Sequence, residues 1–237
     1  LHRTVHFTGS VLAHLGRQPW QSFERTQSPF ARCQDIAYKD FRAANAEVDR
    51  PFMEHVEKLV AARGTPVLVA IAGPTADGKT EIVERLRSSW RKMGRRATLI
   101  EMHNFLTDRD RREQEGIFTL GEEAIHVRLF ERSVERIRQG RKVAIPRYDF
   151  VHGSSSHDPD GSLRPGCAPL EIEPGEVVLI EGNFPFLIRR VADLIGIKVV
   201  YLTDDAIRLQ RRWKRDIDYR KKYEPRTFAA GSFGSSF

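Results

Sequence analysis

Cysteine is nearly missing from this chain: Cys33 and Cys167 are the only two in 237 residues, and no CxxC occurs. Neither a disulfide framework nor a cysteine zinc site is indicated. No apolar run approaches the roughly 18 residues of a membrane span. The opening Leu1-His2-Arg3-Thr4 lacks the charged-then-apolar layout of a signal peptide, so a reducing cytoplasm and no membrane partner are expected. Acidic residues are outnumbered, 32 against 39 Lys and Arg, for a net charge of +7. Such a balance invites a nucleic-acid reading. The excess, however, is local to stretches such as Arg85–Arg96 and Arg208–Lys222. No nucleic-acid partner is expected, because net charge describes a field rather than a fold. Apolar residues make up 40%, but they are concentrated in short runs that can build a core. No internal repeat is present.

What is present is Gly73-Pro74-Thr75-Ala76-Asp77-Gly78-Lys79-Thr80, which fits G-x-x-x-x-G-K-[ST]. Pro66–Ala72 ahead of it is an apolar, β-branched run and reads as a buried strand. Glu81–Arg87 behind it carries Ile82, Val83 and Leu86, which suit a helix packed on a sheet. Strand, glycine loop and helix are the setting the motif requires. Backbone N–H groups of such a loop hold phosphate oxygens, and the helix N-terminus adds positive partial charge. Gly73, Thr75, Ala76, Asp77 and Gly78 are therefore expected to line a nucleotide's phosphates. Lys79 is expected to reach the β and γ phosphates, and the Thr80 hydroxyl to ligate Mg²⁺.

The chain divides into a helical N-terminal extension (1–64), an α/β domain (65–226) and a flexible Gly/Ser/Phe tail (227–237). In the first part, Phe41, Val48, Phe52, Val56, Leu59 and Val60 give a helical period. Pro51 predicts two helices there, with Asp49 as cap of the second. Further strands are expected at 96–102, 142–145, 176–180 and 197–202, and helices at 122–139, 186–195 and 204–223. Buried strands alternating with helices imply a three-layer α/β/α domain around a five-stranded, mostly parallel sheet. Ligands of such sheets bind outside the carboxyl ends of the strands. The polar stretch 152–169 breaks the pattern and reads as a long loop, which in a compact domain is usually functional or disordered.

Four segments follow the glycine loop in order: Glu101–Leu106, Ile145-Pro146-Arg147-Tyr148-Asp149-Phe150-Val151, Val178–Gly182, and Arg208-Leu209-Gln210-Arg211-Arg212-Trp213-Lys214-Arg215-Asp216-Ile217. Over about residues 66–224 this series resembles the uridine–cytidine kinase and phosphoribulokinase family of P-loop kinases, and uridine kinases most. The resemblance implies Mg²⁺- and ATP-dependent transfer of a phosphoryl group to a small molecule's hydroxyl, with GTP left open as donor. The acceptor it points to is the 5′-hydroxyl of a pyrimidine nucleoside. A phosphorylated sugar, a pantothenate-like acid or an unusual nucleoside is the alternative acceptor. The resemblance also makes self-association plausible.

The resemblance further implies roles for individual residues. Glu181 would help hold Mg²⁺, and the 204–223 helix would form a lid whose Arg212, Arg215 and Arg220 close over the phosphates. Lys222 stands where relatives carry another arginine, keeping charge but losing the planar fork. Arg208, Arg211 and Lys214 are expected on the solvated face of that helix. Tyr148 would pack on the base, with Asp149 beside the acceptor. The family's base-reading histidine falls five residues after that tyrosine, where this chain has Gly153; His152 or His157 could serve instead.

His103 stands where the family has the aspartate that takes the proton of the attacking hydroxyl. An imidazole can act as a base near neutral pH but offers no anionic oxygen to a metal. Three readings follow: His103 is the working base, the enzyme is impaired into a regulatory nucleotide binder, or Asp108 or Glu101 supplies the carboxylate. Relatives also continue past the lid helix into another helix and strand, whereas here Glu224-Pro225-Arg226 leads into the tail. Either that element is absent, or the sequence as given is incomplete or joined across a gap.

Overall fold

The computed structural model describes residues 42–117, 121–150 and 152–203, together with Asp205 and Arg208. Helix α1 (Arg42–Ala61) precedes β1 (Val67–Ala72), and α2 (Lys79–Lys92) leads to β2 (Ala97–Glu101). A 3₁₀ turn, Met102–Phe105, and α3 (Arg109–Gln114) come next, then a second 3₁₀ turn, Glu122–Ala124, and α4 (Val127–Arg138). Four short strands follow: β3 (Val143–Ile145), β4 (Tyr148–Asp149), β5 (Ser154–Ser155) and β6 (Leu170–Ile172). The described chain closes with β7 (Val177–Gly182), α5 (Arg189–Ala192) and β8 (Ile197–Val200).

The central sheet runs β2-β7-β1-β8, every pair parallel. Each residue of β1 and β7 is buried, as expected of parallel strands covered on both faces. Successive side chains alternate between those faces. Leu68, Ala70, Ile100, Val178 and Ile180 meet Phe105 and the Phe130, Val134 and Ile137 stripe of α4. Val67, Val69, Ile71, Val177 and Leu179 meet Ile82, Val83, Leu86 and Trp90 of α2 and Val56 and Val60 of α1. Phe130 and Trp90 are almost wholly enclosed, and truncating either to alanine would cost about 3–5 kcal/mol.

Several sequence expectations change. Among the described residues the parallel sheet has four strands rather than five. The run at 142–145 instead pairs antiparallel with Leu170–Ile172. Its burial alternates, with Ala144 exposed between buried Val143 and Ile145, so it lacks the two-sided burial a central parallel strand needs. Pro51 does not split the first helix, which is continuous from Arg42 to Ala61. Ties to α2 offset the hydrogen bond that the proline removes. Asp49 is no cap: it pairs with Arg85, whose guanidinium also holds Glu81 at 2.8 Å. Glu57 accepts from Trp90 Nε1 and pairs with Arg95 at 3.1 Å. The helix expected at 122–139 starts at Val127, because Ile125 is drawn into an extended bridge with Leu106. It ends at Arg138, two residues before Gly140, whose φ of +74° suits glycine. The 186–195 helix shrinks to Arg189–Ala192.

The polar 152–169 loop is built rather than loose. Arg164 donates to Asp108 at 2.6 and 3.1 Å, to Asp158 at 2.8 Å and to the Ser155 carbonyl at 3.0 Å. Ser155 N–H donates to Asp108 at 2.7 Å. Residues 1–41, the tail and all of the expected lid except Asp205 and Arg208 lie outside the described residues.

Candidate active site

The carboxyl ends of β1, β7 and β2 deliver the loop at Gly73, the pair Glu181-Gly182, and the turn carrying His103. Gly73 admits no side chain, since a Cβ there would lie 1.9 Å from Asp77 Oδ2 and 2.3 Å from the Tyr201 carbonyl. Ala76 and Gly78 have φ of +66° and +110°, the left-handed turns that aim successive N–H groups inward. Asp77 is 1% exposed and accepts from the Lys79 N–H at 3.0 Å. Burial pushes its carboxyl pKa up, against the pull of Lys79. The Lys79 ammonium is 4% exposed and donates to the Gly73 carbonyl at 2.7 Å, the Pro74 carbonyl at 2.8 Å and Asp77 at 3.1 Å. These are bonds that phosphate oxygens could replace.

The Thr80 hydroxyl donates to Glu181 Oε1 at 2.5 Å. Glu181 is 3% exposed, and its other oxygen has no hydrogen-bond partner among the described residues. Burial pushes its pKa up to about 7, with Glu101 and Asp77 adding to the rise and Thr80 and Lys79 opposing it. A buried carboxylate with an orphan oxygen beside a threonine hydroxyl fits Mg²⁺, a hard cation that takes few protein oxygens plus phosphates and water. Glu101 is the register partner of Glu181 on the neighbouring strand.

His103 lies in the 3₁₀ turn, its ring 6.2 Å from that of Phe150. Asp108 cannot stand in for a carboxylate here, because Arg164 and the Ser155 N–H occupy it. Those bonds hold its pKa down although burial acts the other way. Of the two carboxylates considered for that role, Glu101 is the one at this edge.

Tyr148 differs from expectation. It is 5% exposed, accepts a hydrogen bond from Arg112 at 3.1 Å and packs edge-on against Phe150. Its ring belongs to the core, and the partly buried aromatic facing His103 is Phe150. Asp149 and His152 pair at 2.5 Å at the turn that joins β4 to β5, where the His152 side chain is exposed. His157 is buried with its Nδ1 2.9 Å from Ser156 Oγ, which leaves His152 as the accessible histidine. A histidine at position 153 would be strained, since Gly153 has φ of +71° and a Cβ there would lie 2.8 Å from Arg109.

Arg208, expected in solvent, is instead turned inward: its side chain is 13% exposed and donates to the Thr75 carbonyl at 3.3 Å. Thr203 donates to the Asp77 carbonyl at 2.7 Å. Neither contact had a sequence signal, because a basic run does not say which arginine turns in. Arg212, Arg215, Arg220 and Lys222 lie outside the described residues. Among the described residues, no helix is long and apolar enough to cross a membrane.

A parallel α/β sheet with a glycine loop, an inward lysine and a Thr–Glu pair at its carboxyl edge defines a P-loop phosphate-binding protein of the kinase type. The phosphoribulokinase / uridine kinase family profile matches residues 68–224, and the chain belongs to that family. It is 28% identical over 158 residues to a uridine kinase of Leuconostoc citreum, covering 65% of this chain and 70% of that one. It is also 28% identical over 156 residues to uridine kinase-like protein 3 of Arabidopsis thaliana. There the match takes in 65% of this chain but only 31% of the longer relative. A solved "putative fructose transport system kinase" from Silicibacter sp. TM1040 shares the fold, with a TM-score of 0.61 and 19% identity over 76% of this chain and 86% of that one.

Proposed function

We propose that the chain is a Mg²⁺- and ATP-dependent kinase acting on a small-molecule hydroxyl, the 5′-hydroxyl of a pyrimidine nucleoside such as uridine or cytidine. The observation that carries this reading is the buried corner in which Lys79 fronts the loop and Thr80 meets Glu181, one strand from His103. In this reading the loop amides from Thr75 to Thr80 hold the phosphates. Lys79 exchanges two carbonyls for the charged β and γ oxygens, a gain because charge-assisted bonds are roughly twice as strong as neutral ones. Thr80 and Glu181 hold Mg²⁺, which when bound neutralises charge on the phosphoryl oxygens. Arg212, Arg215 and Arg220 close over the site, and Lys222, Asp149 and His152 border the acceptor. His103, as a neutral imidazole, takes the proton of the attacking hydroxyl. Catalysis is then mainly positioning and charge stabilisation.

A second reading is favoured by His103 itself together with the engagement of Asp108 by Arg164. The family carboxylate is missing and its nearest downstream replacement is spoken for, so the chain would bind nucleotide with weak or no transfer. The test is acceptor-dependent ADP release from MgATP across uridine, cytidine, purine nucleosides, ribulose 5-phosphate and pantothenate, with His103→Asp in parallel. Turnover of uridine or cytidine by the natural chain supports the nucleoside kinase. Turnover only in His103→Asp supports the impaired scaffold, and silence in both sinks the pyrimidine-nucleoside reading.

A further inference from the structure

Asn183 stands immediately beyond β7 and is 6% exposed, yet neither its Nδ2 nor its Oδ1 has a hydrogen-bond partner among the described residues. Buried side-chain amides are nearly always paired, so one left open at both ends requires an explanation. Its place in the sheet supplies one. Register pairs Ala72 with Gly182 and Glu101 with Glu181, so Asn183 follows β7 one residue past the pair that leads into Gly73, and His103 lies two residues past Glu101 in the turn that follows β2. Gly73 N–H donates to the Gly182 carbonyl at 3.3 Å. On the other flank, a Cβ at Gly182 would come within 2.7 Å of Met102. The end of β7 is thus pressed between the phosphate loop and the turn that carries His103. Asn183 therefore leaves the sheet at its carboxyl edge, from the strand that lies between the one leading into the phosphate loop and the one leading into the His103 turn, the edge at which ligands of parallel sheets bind.

The chemistry of the open group narrows its ligand. A phosphate or carboxylate would use only Nδ2, and an ammonium only Oδ1. A hydroxyl both donates and accepts, and two vicinal hydroxyls satisfy both ends of one amide. We propose that Asn183 recognises the acceptor, hydrogen-bonding a vicinal hydroxyl pair and so selecting a sugar-like molecule. This rests on the kinase reading above.

The test begins with the full chain carrying ¹⁵N-asparagine, the Asn183 side-chain NH₂ being assigned by its loss in Asn183→Asp. The expected result is no shift with Mg²⁺ and a non-hydrolysable ATP analogue, a clear shift when uridine is added, and a weaker one with 2′-deoxyuridine. In steady state, Asn183→Leu should raise the acceptor KM about tenfold or more while the ATP KM stays within about twofold, and should level uridine with its deoxy analogue. Leucine removes the unpaired amide at similar volume, so this variant should fold; should it not, Asn183→Ser gives the same comparison. A shift with nucleotide alone, or equal effects on both KM values, overturns the proposal. Uridine turnover with Asn183 unresponsive overturns it and leaves the kinase reading standing. An Asn183 response to a different vicinal diol, with uridine inert, supports it and sinks the nucleoside assignment. No response to any polyol, with no turnover, overturns both.

Discussion

Two polar clusters sit near one edge of this sheet, and they are finished to different degrees. Around Arg164, the carboxylates of Asp108 and Asp158, the Ser155 carbonyl and the Ser155 N–H close a network in which the guanidinium meets four acceptor atoms. Around the glycine loop, the groups are more deeply buried, yet Glu181 keeps an oxygen without a partner and Asn183 an entire amide. A buried polar atom left unpaired costs about 1–3 kcal/mol. A chain retains such a cost where a ligand repays it. The finished cluster therefore reads as structure, and the unfinished one as a site.

That contrast is broken most directly at Lys79. Lys79→Met should lower phosphoryl transfer about a thousandfold or more, by loss of transition-state charge stabilisation. An ATP-analogue Kd and turnover unchanged in this variant would make Lys79 a structural tie only and erase the distinction. Arg164→Ala should behave in the opposite way. It leaves two carboxylates short of their partner and should cost about 2–3 kcal/mol, or roughly 4–12 °C in melting temperature for a domain of this size. The ATP-analogue Kd should stay within about twofold of the parent, because Arg164 contacts none of the loop residues. Calorimetry and a binding isotherm on both variants decide the matter.

The finished cluster also carries a pH signature. His126 is 7% exposed, with Nε2 3.3 Å from Ser155 Oγ. Burial, aided by nearby His157, lowers its pKa to about 4. Asp108 acts in the other direction, while Arg111 and Arg164 oppose protonation. A histidine whose folded pKa lies below its unfolded value leaves the unfolded state holding the extra proton, so stability is present above pH 6.5 and lost as pH falls towards 4. The limiting slope is about 1.4 kcal/mol per pH unit. With solvent screening allowed for, about 1–2 kcal/mol should disappear between pH 7 and pH 5. Denaturant unfolding of His126→Gln against the parent should show a flatter profile over that interval, and an unchanged slope would place the ring in contact with water.

How far the sequence reached follows the same division. The setting of the glycine loop, Lys79 and Thr80 between a strand and a helix was legible because the motif fixes residue type and spacing beside a strand apolar on both faces, whereas Glu181 was reached only through the family resemblance. The short strand at Val143–Ile145 was misplaced because three alternating residues do not say which sheet they join. Pro51 was read as a break because local propensity could not anticipate the Asp49–Arg85 and Glu57–Trp90 ties made by another helix. Tyr148 was matched through the resemblance to a tyrosine that packs on the base, but it is buried in the core and Arg112, 36 residues earlier, holds its hydroxyl. Asn183 carried no motif at all. Its interest lies in what it fails to bond, which only coordinates reveal.

Arg208 tests the boundary between the two kinds of cluster with the smallest effect. Its guanidinium reaches the Thr75 carbonyl at 3.3 Å and Asp205 at 2.5 Å, so it borders the phosphate loop while being already paired. If a finished pairing marks structure, Arg208→Gln should weaken the ATP analogue only about two- to threefold, less than about 1 kcal/mol by isothermal titration. The mechanism would be looser ordering of the loop through Thr75 rather than loss of a phosphate contact. That distinction is measurable in salt: a lost phosphate contact would also flatten the salt dependence of nucleotide binding, whereas a lost loop strut would leave its slope unchanged. A tenfold loss with a flattened slope would show that Arg208 leaves Asp205 for the phosphates when nucleotide binds. The bonds made within the chain itself would then be a poor guide to which groups the ligand recruits, and the comparison would hold only for atoms that, like those of Asn183, have no partner to leave.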